Sequence, residues 1–441
     1  MTDKTRSNPL QRSWAWSLRL HRTYRDTNWA MVDQGVVSGV NFLTMVLLAR
    51  MLGVQQFGEF SIAWLILLFF KSLQAALVVA PMMSIGPKQR DEEQALYYGS
   101  VIVQQIAIAL TTFLLIVLGL WASELLTLDL GLGALGLALA SAAATDQLQD
   151  FIRRYLYTHQ RAFAAFLNDF ICYGARILLL AGMLVYAKDS ANGAIALWLI
   201  ALASAVAAVI GAFLIGPLRF ERGFFISVCG HHWTFSKWIF GSAIFRWMSG
   251  HLIVLMSGGI LGAYAVGAIR STTNVLAPVQ VFLLALNNIA PVKAARLFHE
   301  GGPTPLLRYL GKLTGAGFVM TAAMVIVGSI FAEEIVGLLY GDEYVPFAYL
   351  IHWWAVIYLI GFLEFPLETG LKAIEHTRPL FFTVLAEAAF AAATSYLLAS
   401  YFGLPGVMFG ILVVKIIPVS VLSASFLRRL PPRRHLATSK V

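Results

Sequence analysis

The chain has 441 residues, of which 59% are apolar and only 12% charged, and its mean hydropathy is +0.74. A soluble globular enzyme is excluded by that balance, and an all-α polytopic membrane protein is what it leaves. The net charge of +9 would suit nucleic acid if the bases shared one face, but they are scattered among short breaks between apolar runs, so no nucleic-acid partner is expected.

Residues 1–28 lack the apolar stretch of a secretory signal and carry Lys4, Arg6, Arg12, Arg19, Arg22 and Arg25, so they are expected to remain in the cytosol as a basic segment. Trp14 with Leu18, and Trp16 with Leu20, fall at four-residue spacing, which allows either a helix lying on the anionic inner leaflet or an unstructured basic tail. Twelve runs follow, each near the roughly 20 apolar residues that a helix needs to cross a bilayer. Six of them, 29–50, 57–80, 96–121, 130–155, 163–187 and 191–216, make an N-terminal bundle. A cytosolic inter-bundle loop, 217–237, precedes a C-terminal bundle of six more: 238–258, 262–292, 306–332, 346–371, 380–401 and 404–427. Residues 428–441 form a basic cytosolic tail.

When the runs are alternated from a cytosolic N-terminus, the 32 Lys and Arg partition sharply: five lie inside spans, Arg50 and Lys188 fall on the outer side, and all the others are inside. Acids mark the opposite face, as in Glu124, Asp129, Glu333, Glu334, Asp342 and Glu343. Both termini are therefore expected in the cytosol.

The two bundles repeat one another. Leu52-Gly53-Val54-Gln55-Gln56-Phe57-Gly58 returns 209 residues on as Leu261-Gly262-Ala263-Tyr264-Ala265-Val266-Gly267, and Pro81 returns as Pro291 within one residue. Asp146, Asp150, Arg154 and Asp169 return 218 residues on as Glu364, Glu368, Lys372 and Glu387, with the charge type kept at all four. Each copy crosses the membrane an even number of times, so the copies are expected to be related by a pseudo-two-fold axis along the membrane normal.

The segment from Asp33-Gln34-Gly35 to Ala49-Arg50-Met51-Leu52-Gly53-Val54-Gln55-Gln56-Phe57-Gly58 resembles the opening of Wzx-type polysaccharide flippases of the multidrug/oligosaccharidyl-lipid/polysaccharide (MOP) exporter superfamily. That resemblance is sharpest over residues 29–81 and says little about substrate. It implies transport of an undecaprenyl-pyrophosphate-linked oligosaccharide from the inner to the outer leaflet, by alternating access between two bundles. It also implies partners of the same pathway: the lipid-linked oligosaccharide, membrane lipids, a polysaccharide polymerase and a chain-length regulator, serving an O-antigen or an exopolysaccharide.

Charges stranded in the spans bear on this independently. Lys71, Arg176, Arg246, Arg270 and Lys415 lie deep within predicted helices, where each would cost about 2.5–3.5 kcal/mol facing lipid. They must pair with acids such as Asp146, Asp169 and Glu387 or face a hydrated cavity, and five bases outnumber the equally deep acids. A cationic cavity suits a pyrophosphate, which Arg grips through paired hydrogen bonds and Lys attracts as a point charge. These five are the candidate substrate-binding residues, Arg246 and Arg270 foremost. In Asp146-x-x-x-Asp150-x-x-x-Arg154 and Glu364-x-x-x-Glu368-x-x-x-Lys372 the spacing stacks the charges on one helical face, and the lower acid and base of each set read as a salt bridge. The upper acids, Asp146 and Glu364, lie deeper and are the candidates for carrying a coupling proton.

Pro278, Pro366 and Pro418 predict kinks in spans eight, ten and twelve. Gly131-Leu132-Gly133-Ala134-Leu135-Gly136 matches a dinucleotide fingerprint but opens a membrane span with no strand before it. His231, His232 and Cys229 lack the spacing of a closed zinc site, and Cys172 and Cys229 are read as reduced thiols, so no cofactor or metal is expected. Three functions compete. A flippase needs a basic cavity; an antiporter of the same superfamily would centre on Asp146 and Glu364; a membrane enzyme would display a long outer loop, which the sequence lacks. A cytosolic reporter fused to the C-terminus is expected to be active and an alkaline phosphatase fusion silent; the reverse pattern would refute this topology.

Overall fold

The computed structural model describes residues 9–125, 133–187 and 190–429. Lys4, Arg6, Asp129, Gly131, Lys188 and the basic tail beyond Arg429 lie outside them, as do the side chains of Arg12, Arg19, Arg22, Arg25 and Glu124. Among the described residues the structure is helical throughout, with no strand.

Thirteen α-helices build twelve membrane crossings. α1 (Pro9–Gln74) carries the first crossing and, beyond a break at Gly53, the second, which runs on through a π-helical turn at Ala75–Val79 into α2 (Ala80–Ile85). α3 (Asp91–Leu125), α4 (Gly136–Thr158), α5 (Ala162–Tyr186) and α6 (Gly193–Ala212) complete the first lobe. The second lobe opens with α7 (Arg222–Leu261); its eighth crossing is split into α8 (Ala263–Val275) and α9 (Ala277–Gly301). α10 (Pro303–Ile330), the short α11 (Ala332–Tyr340), α12 (Leu350–Ala373) and α13 (Arg378–Arg429) follow, the last holding two crossings around Gly403. Gly53, Gly262 and Gly403 have φ of 69°, 100° and 59°, values that favour glycine and let one helix end and the next begin without an intervening loop.

Helix faces follow the solvent. On α3, Leu110, Leu114 and Leu118 form an exposed stripe at four-residue spacing, as lipid contact requires. α4 alone is poorly apolar for a crossing, because it carries Asp146, Asp150, Arg153 and Arg154, yet it packs at the centre of its lobe against α3, α5 and α6. Pro278 sits in the first turn of α9, immediately after the break at Leu276, whereas Pro366 lies inside α12 and Pro418 inside the second crossing of α13, beyond its break at Gly403.

Helix formation extends past the expected boundaries at two places. α1 begins at Pro9, so residues 9–28 continue the first crossing as one helix. Helix α7 begins at Arg222, taking in most of the expected inter-bundle loop. Val228, His232 and Ser236, at four-residue spacing, are buried, and His232 and Cys229 meet Tyr97 and Gln104 of α3. A helical face with partners was thus hidden among residues polar enough to look like a loop.

With twelve crossings the start of α1 and the end of α13 share one face, the terminal face, and the turns at Gly53 and Gly262 lie on the far face. There the lobes join, α1 against α8. Gly58 and Gly267 let the two helices touch backbone to backbone: a Cβ on Gly58 would collide with the carbonyl oxygen of Ala263, and one on Gly267 with that of Val54. Gly267→Ala is expected to destabilise the protein by about 1–3 kcal/mol through overpacking, seen as a lowered Tm, while Gly259→Ala, where a Cβ meets open space, leaves Tm unchanged.

Candidate functional site

The repeated acids organise a charged cluster in each lobe, and the clusters are built differently. In the first lobe Asp146 of α4 accepts Lys71 of α1 at 2.7 Å and Arg176 of α5 at 3.4 Å. Asp150, one turn along, lies 3.5 Å from Lys71 and 3.7 Å from Arg154. A second group is knit by Arg153, which bonds Asp33 of α1 and Asp169 of α5, each at 2.7 Å, with Tyr157 donating to Asp33 and Gln149 to Asp169. Arg176 is 1% exposed and its guanidinium lies 4.9 Å from the Tyr173 ring. Four carboxylates thus face four cations, and the cluster is electrically closed. It ties α1, α4 and α5 together.

The second lobe keeps a space open. A cavity of about 400 Å³ lies among α7, α8, α9, α12 and α13, with Leu65 of the first lobe on its edge. Arg270, His251, Gln280, Asn287, Tyr358, Glu364, Glu368 and Lys415 supply its polar wall, and Trp354, Ile357 and Phe365 its apolar one. The α12 contribution recurs at three- and four-residue intervals from Trp354 to Glu368, one face of a helix. Gln280 donates to the Tyr358 hydroxyl at 2.6 Å. Glu364 has Lys415 at 3.5 Å, and Glu368 has Lys372 at 2.7 Å. Arg270, half-buried in the same wall, has no carboxylate at ion-pairing distance among the described residues.

The five candidate bases therefore divide. Lys71 and Arg176 belong to the closed cluster of the first lobe and do not line this cavity. Arg270 and Lys415 share the cavity wall. Arg246 is exposed on α7, outside that wall, near the buried Glu387. Of the two candidate coupling acids, Asp146 is held by two cations, whereas Glu364 is held loosely by one and opens on the cavity. Sequence reasoning passed over Asp33, Arg153 and Gln149, and on the cavity side His251, Gln280, Asn287 and Tyr358. A signal existed for two of them, since Gln280 and Asn287 are amides seven residues apart within an apolar helix and so share one face.

Residues 239–397 match the MatE family model. Among solved structures the chain is similar to an inward-facing multidrug resistance MATE family transporter of the MOP superfamily, at 12% identity over 90% of this chain and 97% of that one, TM-score 0.71. It is also similar to the lipid II flippase MurJ in an inward closed conformation, at 14% identity over 92% and 89%, TM-score 0.72. The chain has the fold of these two-lobed transporters. An outward-facing multidrug resistance MATE family transporter of the MOP superfamily, 14% identical over 92% of this chain and 95% of that one, superimposes less well, at a TM-score of 0.59. The inward-facing and inward closed structures thus superimpose on this chain better than the outward-facing one does. A search of curated proteins finds no match.

Replacing Arg153 by Met would strand the fully buried Asp33 and Asp169, and is expected to cost about 3–5 kcal/mol. Arg270→Gln, which breaks no ion pair, is expected to leave stability within about 0.5 kcal/mol. Thermal unfolding of the two purified variants beside the unmodified protein checks the contrast.

Proposed function

We propose that the protein is a transporter that carries an undecaprenyl-pyrophosphate-linked oligosaccharide from the inner to the outer leaflet of a bacterial inner membrane, by alternating access. One observation carries the reading: Arg270 stands in the wall of a cavity among the crossing helices with no carboxylate partner among the described residues. An uncompensated guanidinium at that depth is costly unless water or an anionic ligand reaches it. Arg270 offers the forked donors that fit a phosphate, and Lys415 lies on the same wall as a second positive charge. Amides, a phenol and the indole of Trp354 around them supply the donors and flat apolar surface that sugars use, while the lipid tail stays in the bilayer. In this reading the chain ends are cytosolic, and the cavity loads from their side while the far face is shut.

The loose pair of Lys415 and Glu364 gives the cargo a way to engage a proton. A phosphate that draws Lys415 towards itself leaves Glu364 without its cation and open to a proton from the cavity. Asp146, gripped by two cations, serves instead to position α4. The second reading, a proton- or cation-coupled antiporter for small molecules, is favoured by Glu364 and Glu368 lying together in the cavity wall.

Arg270→Gln with Lys415→Gln is expected to abolish polysaccharide export in cells while the amount of folded protein is unchanged. Export at the unmodified level from that double variant overturns the assignment. Loss of drug or cation efflux, with polysaccharide output intact, would favour the antiporter.

A further inference from the structure

We propose that Arg50 and Glu343 form a reciprocal latch at the far face, each carrying its charge to the open end of a helix in the opposite lobe. Helix ends leave backbone groups without partners: N–H groups at the start, carbonyls at the finish, with matching partial charges. The break at Gly53 creates such a start, and its freed Val54 N–H donates to Glu343 Oε1 at 3.0 Å. Helix α11 of the second lobe ends at Tyr340, and in its last turn the Leu338 carbonyl accepts from Arg50 Nη2 at 2.7 Å. The acid thus sits at a helix start and the base at a helix finish, the favourable sense in both cases.

Three further contacts show that this junction is built rather than incidental. Gly53 is under a double requirement, since its φ of 69° suits glycine and a Cβ there would lie 2.8 Å from Glu343 Oε2. Tyr344, next to Glu343, is 1% exposed; its hydroxyl donates to the Ala49 carbonyl at 3.0 Å and its ring meets the edge of Phe57. The repeat-related turn is capped across the lobes as well: Tyr264 N–H, just after Gly262, donates to Gln55 Oε1 at 3.2 Å. Arg50 is moreover one of only two bases that the charge rule leaves on this face, and the latch gives it a purpose there.

Both charges are exposed, so the latch is weak enough to open in each cycle, and its parts separate only if the lobes part at the far face. Its strength sets the balance between the closed and open far face, whatever the cargo. The test uses full-length protein in lipid nanodiscs with Cys172→Ala and Cys229→Ser, and Ala49→Cys as the reporter beneath Tyr344. The rate at which a bulky water-soluble maleimide reaches that thiol follows the open population, and the reagent has access to both faces. Glu343→Gln and Arg50→Ala are each expected to raise the rate about three- to tenfold, and the double variant to raise it further. Glu333→Gln, an acid in the first turn of α11 with no ion pair or hydrogen bond across the lobes among the described residues, leaves it unchanged. Equal rates in the background, both single variants and the double variant would overturn the latch. An Ala203→Cys reporter, buried inside the first lobe, stays unreactive throughout; if it reacts as fast as Ala49→Cys, the gain reflects unfolding and the latch is overturned too.

Discussion

A charge on a helix that crosses hydrocarbon must find either a partner or water, and this protein uses both solutions, one in each lobe. In the first, Asp33, Asp146, Asp150 and Asp169 are matched by Lys71, Arg153, Arg154 and Arg176 in a compact cluster that ties α1, α4 and α5 together. In the second, the repeated acids Glu364 and Glu368 are matched by Lys415 and Lys372, and Arg270 is left over beside a cavity. Duplication supplied the same acids twice. The cations that answer them come from different helices, Lys71 from the second crossing and Lys415 from the twelfth. One lobe thereby holds these charges paired within its core, and the other sets them around a cavity.

Much of the fold could be read directly because the bilayer is a severe solvent. Crossing lengths, the alternation of basic breaks and the two-fold repeat all express the one requirement that backbone groups be bonded within the helix and charges kept out of lipid. The same reasoning counts how many charges need compensation and expects at least one base without an acid; among the described residues Arg270 has no carboxylate at ion-pairing distance. Partnership is another matter. Lys71 and Asp146 are 75 positions apart and Arg153 and Asp33 are 120 apart, and nothing in hydropathy or spacing says which helices are neighbours. Arg176 looked like a ligand for cargo and is instead wrapped by Asp146, Tyr173 and Trp64.

The far-face junction was legible only as an anomaly. Arg50 broke the charge rule, and Glu343 merely fitted a general excess of acids on that side; the helix ends that each one serves become visible only when the lobes are seen together. The glycines did give a cue, because Gly53 and Gly262 recur at equivalent places of the repeat and each marks a turn with a positive φ.

The manner in which the lobes are joined limits how they can move. Helix α7 runs unbroken for 40 residues, roughly 60 Å at 1.5 Å per residue, about twice the thickness of the hydrocarbon core. Its first turns are pinned to α3 through His232 and Tyr97, and its later turns pack along α13. Such a strut does not act as a slack tether that lets each half wander. Swinging of one half must be transmitted through it as a rotation or a tilt of the whole rod, which confines the pair to a single concerted stroke.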